Sequence, residues 1–247
     1  MAEQNKTRIS YEEKIYRKYI NFLNEHEEEL EETGNWNKVF EVLNRISIHP
    51  DYVLDDYRKK NSTDNVLQLF ARHKSSPSFR ECENKKHHYF SVFSLCPISK
   101  EEGPFFPPFI SPYQMVILDK SRQSLWQAFL LQNTFHFAWM RGKASIEKQS
   151  IVFSENDVKL TNLRDDVLDY DKIKKILFSP PKISLDAPLI RRYENDEIDY
   201  LEYCYWNDKK GLVKVKVEIL YDFSTETVSF KTLSSKVLYK YNCGKQC

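Results

Sequence analysis

The chain has 247 residues, enough for one large domain or two small ones with an ample core. Apolar residues at 41% and charged residues at 30% are ordinary for a globular protein. Lys plus Arg at 37 against Asp plus Glu at 36 leaves a net charge of +1, so bulk charge argues neither for nucleic acid nor for an acidic membrane surface.

Met1 to Ser10 is polar and lacks the apolar core of a signal peptide. Ser10 and Glu13 then fit a capping box, in which hydroxyl and carboxylate each satisfy a free backbone N–H. Ile15, Tyr19, Phe22, His26 and Leu30 recur at helical spacing, and Gly34 suits the left-handed residue that ends a helix. Asn35 can cap a second helix with Trp36, Val39, Phe40, Leu43 and Ile46 on one face, making an antiparallel helical hairpin. Pro50 is placed to open a third helix (Val53, Leu54, Tyr57) and Asp64 a fourth (Val66, Leu67, Phe70). No period of 30 to 40 residues repeats, so a solenoid is not expected.

Lys74 to Lys86 reads as polar loop and Tyr89 to Leu95 as a strand. Pro97, Pro104, Pro107, Pro108 and Pro112 then forbid regular structure. Gln114 to Leu118 reads as a short buried strand. Ser121 caps a long helix whose apolar residues, Leu125 to Met140, cover most of its circumference, as a central buried helix requires. Gln127, Gln132, Asn133 and His136 interrupt that run, which falls short of a membrane span. Ile151 to Phe153 reads as strand and Leu163 to Leu177 as helix, stopped by Pro180 and Pro181. In the last third Val213, Val215, Val217 and Ile219 alternate with Lys214, Lys216 and Glu218, a half-buried strand. Ile198 to Trp206 precedes it, and Val228 to Leu233 and Val237 to Tyr241 follow across short polar turns, so these are antiparallel neighbours. The expected fold is α+β: N-terminal helical hairpins over 1–74, a Pro-rich loop and strand segment over 75–112, and an α+β region over 113–247 ending in an antiparallel β-meander. One core shared by all three is compatible with the same pattern.

Glycine is scarce: Gly34, Gly103, Gly142, Gly211 and Gly244 are far apart. Phosphate-cradling loops need closely spaced glycines so that backbone N–H groups reach the ligand, which excludes G-x-G-x-x-G, the Walker A loop and the G-x-S-x-G elbow. Cys82, Cys96, Cys204, Cys243 and Cys247 are odd in number and scattered, which predicts free thiols in a reducing, cytoplasmic setting. Cys82, His87, His88 and Cys96 are ligand types zinc accepts, but their spacing matches no standard knuckle, so no metal is expected. His49 and His136 titrate near neutrality and suit general-base work, yet no Ser or Cys pairs with either by sequence. The basic runs Arg58-Lys59-Lys60, Lys85-Lys86, Lys174-Lys175 and Arg191-Arg192 are short and flanked by acids, as solvated faces are.

Two short patterns resemble known enzymes. Arg80 and His87 form Arg-x6-His, similar to the element with which HEPN ribonucleases act on a scissile phosphate; Glu81 stands where that family favours Asn or His. Asp119 at a strand end and Asp157-Val158-Lys159 after another resemble the PD-(D/E)xK nucleases. That resemblance implies Asp119 and Asp157 as Mg²⁺ ligands and Lys159 as the residue that reaches the scissile phosphate and its attacking water. Asp119 lacks the preceding proline, and a long helix separates the strands. Against these stands an aromatic content of 14%, with Tyr200, Tyr203, Tyr205, Trp206 and Tyr221 crowded on the meander. Tyr and Trp bury area at low entropy cost and are enriched at interface hot spots, while core packing is their commoner fate. The function expected is therefore non-catalytic: a cytoplasmic binding, adaptor or immunity-type protein that contacts another protein, with no cofactor and no membrane partner. A Mg²⁺-dependent nuclease built on Asp119, Asp157 and Lys159 is the alternative. Nucleic acid is a possible partner that net charge does not support.

Overall fold

The computed structural model describes residues 9–58, 67–75, 78, 115–119, 121–140, 149–154, 157, 188–192, 199–207, 210–222 and 227–239. They form a mixed helix-and-strand protein with an antiparallel C-terminal sheet. The chain divides into two compact units, one of Ile15–Gly142 with Tyr221–Val228, the other of Met1–Lys14, Lys143–Leu220 and Ser229–Cys247. The expected elements at 89–95 and 163–177, and the Pro-rich loop, lie outside the described residues.

Helix α1 (Tyr11–Glu25), which enters the first unit at Ile15, is followed by helix α2 (Glu27–Thr33). The Glu13 amide donates to Ser10 Oγ at 3.1 Å, the hydroxyl half of the expected cap. Ile15, Tyr19 and Phe22 are the buried stripe. The single long helix expected here breaks at His26, whose ring stacks on Phe22 at 4.4 Å and whose Nδ1 donates to the Phe22 carbonyl at 3.0 Å. Gly34 ends α2 at φ 68°, with its N–H on the Leu30 carbonyl.

The second expected helix is a single 3₁₀ segment, η1 (Trp36–Glu41), and Ile46 belongs to strand β1 (Ile46–Ile48). The third and fourth expected helices are strands. Strand β2 (Tyr52–Arg58) and strand β3 (Leu67–His73) pair antiparallel, with Leu54 opposite Ala71 and Tyr52 opposite His73. Val53, Leu54 and Tyr57 do lie at helical spacing, but neither segment is long enough to nucleate a helix unaided, and cross-strand pairing captures both. Pro50 sits instead in the turn that carries the chain from β1 into β2, where the Tyr52 amide donates to the His49 carbonyl at 2.9 Å.

Strand β4 (Val116–Leu118) pairs antiparallel with β1, Ser47 opposite Ile117. Helix α3 (Arg122–Met140) follows, capped as expected by Ser121 Oγ, which accepts the Ser124 amide at 3.0 Å. Every residue from Ser124 to Leu131 is buried, so two turns of α3 are covered on all sides. Gln127, fully buried among them, accepts the Arg45 amide at 2.7 Å and ties the helix to the chain entering β1.

The second unit carries most of a five-stranded sheet: β5 (Gln149–Val152), β6 (Leu189–Arg192), β7 (Asp199–Asn207), β8 (Gly211–Asp222) and β9 (Thr227–Tyr239). The order is β5-β7-β8-β9, with β6 also pairing β7. Both β5 and β6 run antiparallel to β7, one along each half of it. Val213, Val215, Val217 and Ile219 are buried while Lys214, Lys216 and Glu218 are half-buried, the alternation the sequence predicts. Two features differ from expectation: β6 is an added strand, and the two last expected strands are one continuous strand, β9.

Candidate functional site

Strand β7 carries four of the five meander aromatics, and its register with β8 assigns each a face. Tyr203 lies opposite Val215 and Tyr205 opposite Val213, on the apolar face. Tyr205 is buried, Tyr203 is half-buried, and their rings sit 6.2 Å apart. Burial pushes the Tyr203 phenol well above its ordinary value, and the adjacent Tyr205 adds to the shift. Trp206, on the other face opposite Leu212, is 1% exposed. Tyr205 and Trp206 therefore pack the interior of this unit.

The same face as Trp206 grows wetter along the strand. Lys214 Nζ lies 3.5 Å from Glu202 Oε2, and Lys216 Nζ sits 4.2 Å over the Tyr200 ring. Tyr200 on this face is half-buried; Tyr221, in phase with Val213 to Ile219, belongs to the opposite face and is half-buried as well. Tyr200, Glu202, Lys214 and Lys216 make this stretch of the face a mixed aromatic and charged surface.

The carboxylates of the nuclease pattern have local structural partners. Asp119 Oδ1 accepts the Ser121 amide at 2.9 Å, and Asp119 Oδ2 lies 3.5 Å from Arg45 Nη1. The Ser121 hydroxyl and amide, the Ser124 hydroxyl and then Arg45 bring its carboxyl down to about 2. Asp157 Oδ2 accepts the Phe153 amide at 2.9 Å, the Ser154 amide at 2.9 Å and the Ser154 hydroxyl at 3.2 Å, closing the turn after β5. Lys159, the Arg80–His87 pair and the Cys82–Cys96 cluster lie outside the described residues. Among the described residues no group of three His, Cys, Asp or Glu side chains is placed to hold a metal ion. Cys204 is buried and forms no disulfide. His49 is exposed, edge-on to Tyr52 at 5.7 Å, and Tyr52 is edge-on to His73 at 5.3 Å.

Two features went unread in the sequence. Arg72 Nε donates to Asp55 Oδ2 at 2.6 Å, both side chains largely buried, which pins the β2–β3 hairpin by a diagonal cross-strand pair. The other is the edge of the C-terminal sheet. Among the described residues β9 pairs only with β8, and Lys231 to Val237 are all exposed, so seven consecutive positions are open on both faces. Leu233 is 44% exposed and Val237 47%. A strand of 13 residues with an open side is a template for pairing, since alternate N–H and C=O groups point outward. The polar stretch Ser234-Ser235-Lys236 suggests a turn by composition, but it holds no Gly, Pro, Asn or Asp to specify one, and the strand runs through it.

No family model, curated protein or solved structure matches the chain. Among the described residues no helix is long and apolar enough to cross a membrane.

Proposed function

We propose that this chain is a non-catalytic binding protein, an adaptor or immunity-type protein acting in the cytoplasm, that holds another protein through its C-terminal sheet. The observation that carries the reading is the open edge of β9, exposed on both faces from Lys231 to Val237. Strand addition at such an edge gains backbone hydrogen bonds along its length, while alternate side chains select the partner. The half-buried members of the aromatic set, Tyr200 and Tyr203 on β7 and Tyr221 on β8, offer further contact area on the faces of the sheet, away from that edge. Tyr205 and Trp206 support the sheet from within. No cofactor enters this reading, and the roles of Asp119 and Asp157 in it are those of a helix cap and a turn.

The test is capture of a partner by wild type and by a Leu233→Asp/Val237→Asp variant, each with Mg²⁺ and with EDTA. Capture that is indifferent to EDTA, and lost in the variant at an unchanged melting temperature, supports the reading. Divalent-dependent cleavage of DNA or RNA that disappears in Asp157→Asn contradicts it.

A further inference from the structure

The side chains of β9 say what kind of strand its edge would accept, an inference that rests on the binding function proposed above. The strand carries Lys231 and Lys236 and no acid anywhere between Thr227 and Tyr239. Both lysines are exposed. Alternation places Lys231, Leu233, Ser235 and Val237 on one face and Thr232, Ser234 and Lys236 on the other.

A second copy of the chain fits this edge poorly. Antiparallel pairing about Ser235 would set Leu233 against Val237 of the other copy, which is favourable. It would also make the two Lys236 side chains diagonal neighbours on one face, with no carboxylate on either strand to offset them. Lysines on an edge strand are a common device that keeps identical edges apart. An extended segment bearing carboxylates removes that conflict and keeps the apolar contacts.

We propose that the outer edge of β9 binds an extended acidic segment of a partner protein, running antiparallel. The register follows from the strand. Partner positions one to seven face Val237, Lys236, Ser235, Ser234, Leu233, Thr232 and Lys231 in turn. Positions one and five are then apolar, against Val237 and Leu233. Positions two and seven are acidic, against Lys236 and Lys231. Opposite charges placed directly across a strand pair attract, and like charges repel. Complementary charge also discriminates between partners that the backbone alone would accept equally.

The experiment uses the full chain and a labelled peptide, Val-Glu-Thr-Thr-Val-Thr-Glu, followed by fluorescence anisotropy, with a second peptide in which both Glu are Lys. Wild type is expected to bind the acidic peptide about tenfold or more tightly than the basic one, with affinity falling as salt rises. Lys231→Glu/Lys236→Glu is expected to reverse that preference. These positions are exposed, and an unchanged melting curve confirms that the variant folds. Equal binding of the two peptides, no binding at millimolar peptide, or a wild-type dimer in sedimentation that the Lys→Glu pair abolishes each overturns the proposal. A captured partner that needs Leu233 and Val237 but is not displaced by the acidic peptide rejects the acidic segment and leaves the binding function standing. A captured partner indifferent to Leu233→Asp/Val237→Asp rejects both.

Discussion

Asp157 Oδ2 accepts three hydrogen bonds at the turn after β5, so its first role is to hold the backbone. Asp157→Ala is expected to cost about 1 kcal/mol, a fall of about 3 °C in melting temperature. Asp157→Asn keeps an acceptor oxygen and is expected to melt close to wild type. An alanine variant as stable as wild type would remove the structural role. Asp119 gives a pH signature. Its carboxyl is held at about 2 by the Ser121 hydroxyl and amide first, against 3.8 when unperturbed. A group with a depressed folded pKa stabilises the native state above its unfolded value and loses that effect as pH falls toward the folded one. Stability should therefore decline between about pH 4 and pH 2, and Ser121→Ala should flatten the decline. The effect is small, because the carboxylate is 40% exposed and screened by solvent. Tyr203 works in the other direction: its raised phenol pKa means the unfolded chain releases that proton first, so stability should fall as pH rises above about 10. Neither carboxylate's local partner is legible in the sequence, where Asp beside a strand end reads equally as ligand or as cap.

At the scale of elements, legibility followed periodicity and length. Helix α3 and the alternation of β8 were legible because each runs long enough for its period to be unambiguous. Strands β2 and β3 were not, because Val53, Leu54 and Tyr57 satisfy helical spacing by coincidence over seven residues. Their assignment depends on what lies across the hairpin: Ala71 opposite Leu54, and Arg72 reaching diagonally to Asp55. Arg72→Ala would remove a charge-assisted hydrogen bond from Asp55, 4% exposed, and is expected to destabilise by about 1.5–3 kcal/mol in a denaturant melt. A loss below about 1 kcal/mol would show that the pair is not buried. Val215→Asp would place a carboxylate opposite Tyr203 on the apolar face of the sheet and is expected to cost several kcal/mol. A variant melting within about a degree of wild type would contradict the face assigned to β8. The aromatic richness of β7 was legible, but its division between interior and surface was not, since alternation names two faces without saying which is covered.

Across the whole molecule, the functional account rests on the C-terminal sheet ending in an open strand rather than on any cluster of reactive side chains. The scarcity and spacing of glycine exclude glycine-based phosphate loops, but the edge depends on knowing that Thr227–Tyr239 forms one strand at the end of the sheet order among the described residues. Residue-resolved amide hydrogen exchange tests this directly. In the free protein every second amide between Lys231 and Val237 is expected to exchange fast, because it points away from β8, while its neighbours are protected by the β8 pairing. Addition of the acidic peptide should protect the fast set and leave the rest of the chain unchanged. Uniform protection along β9 in the free protein, or a fast set that no acidic strand protects, would contradict the account.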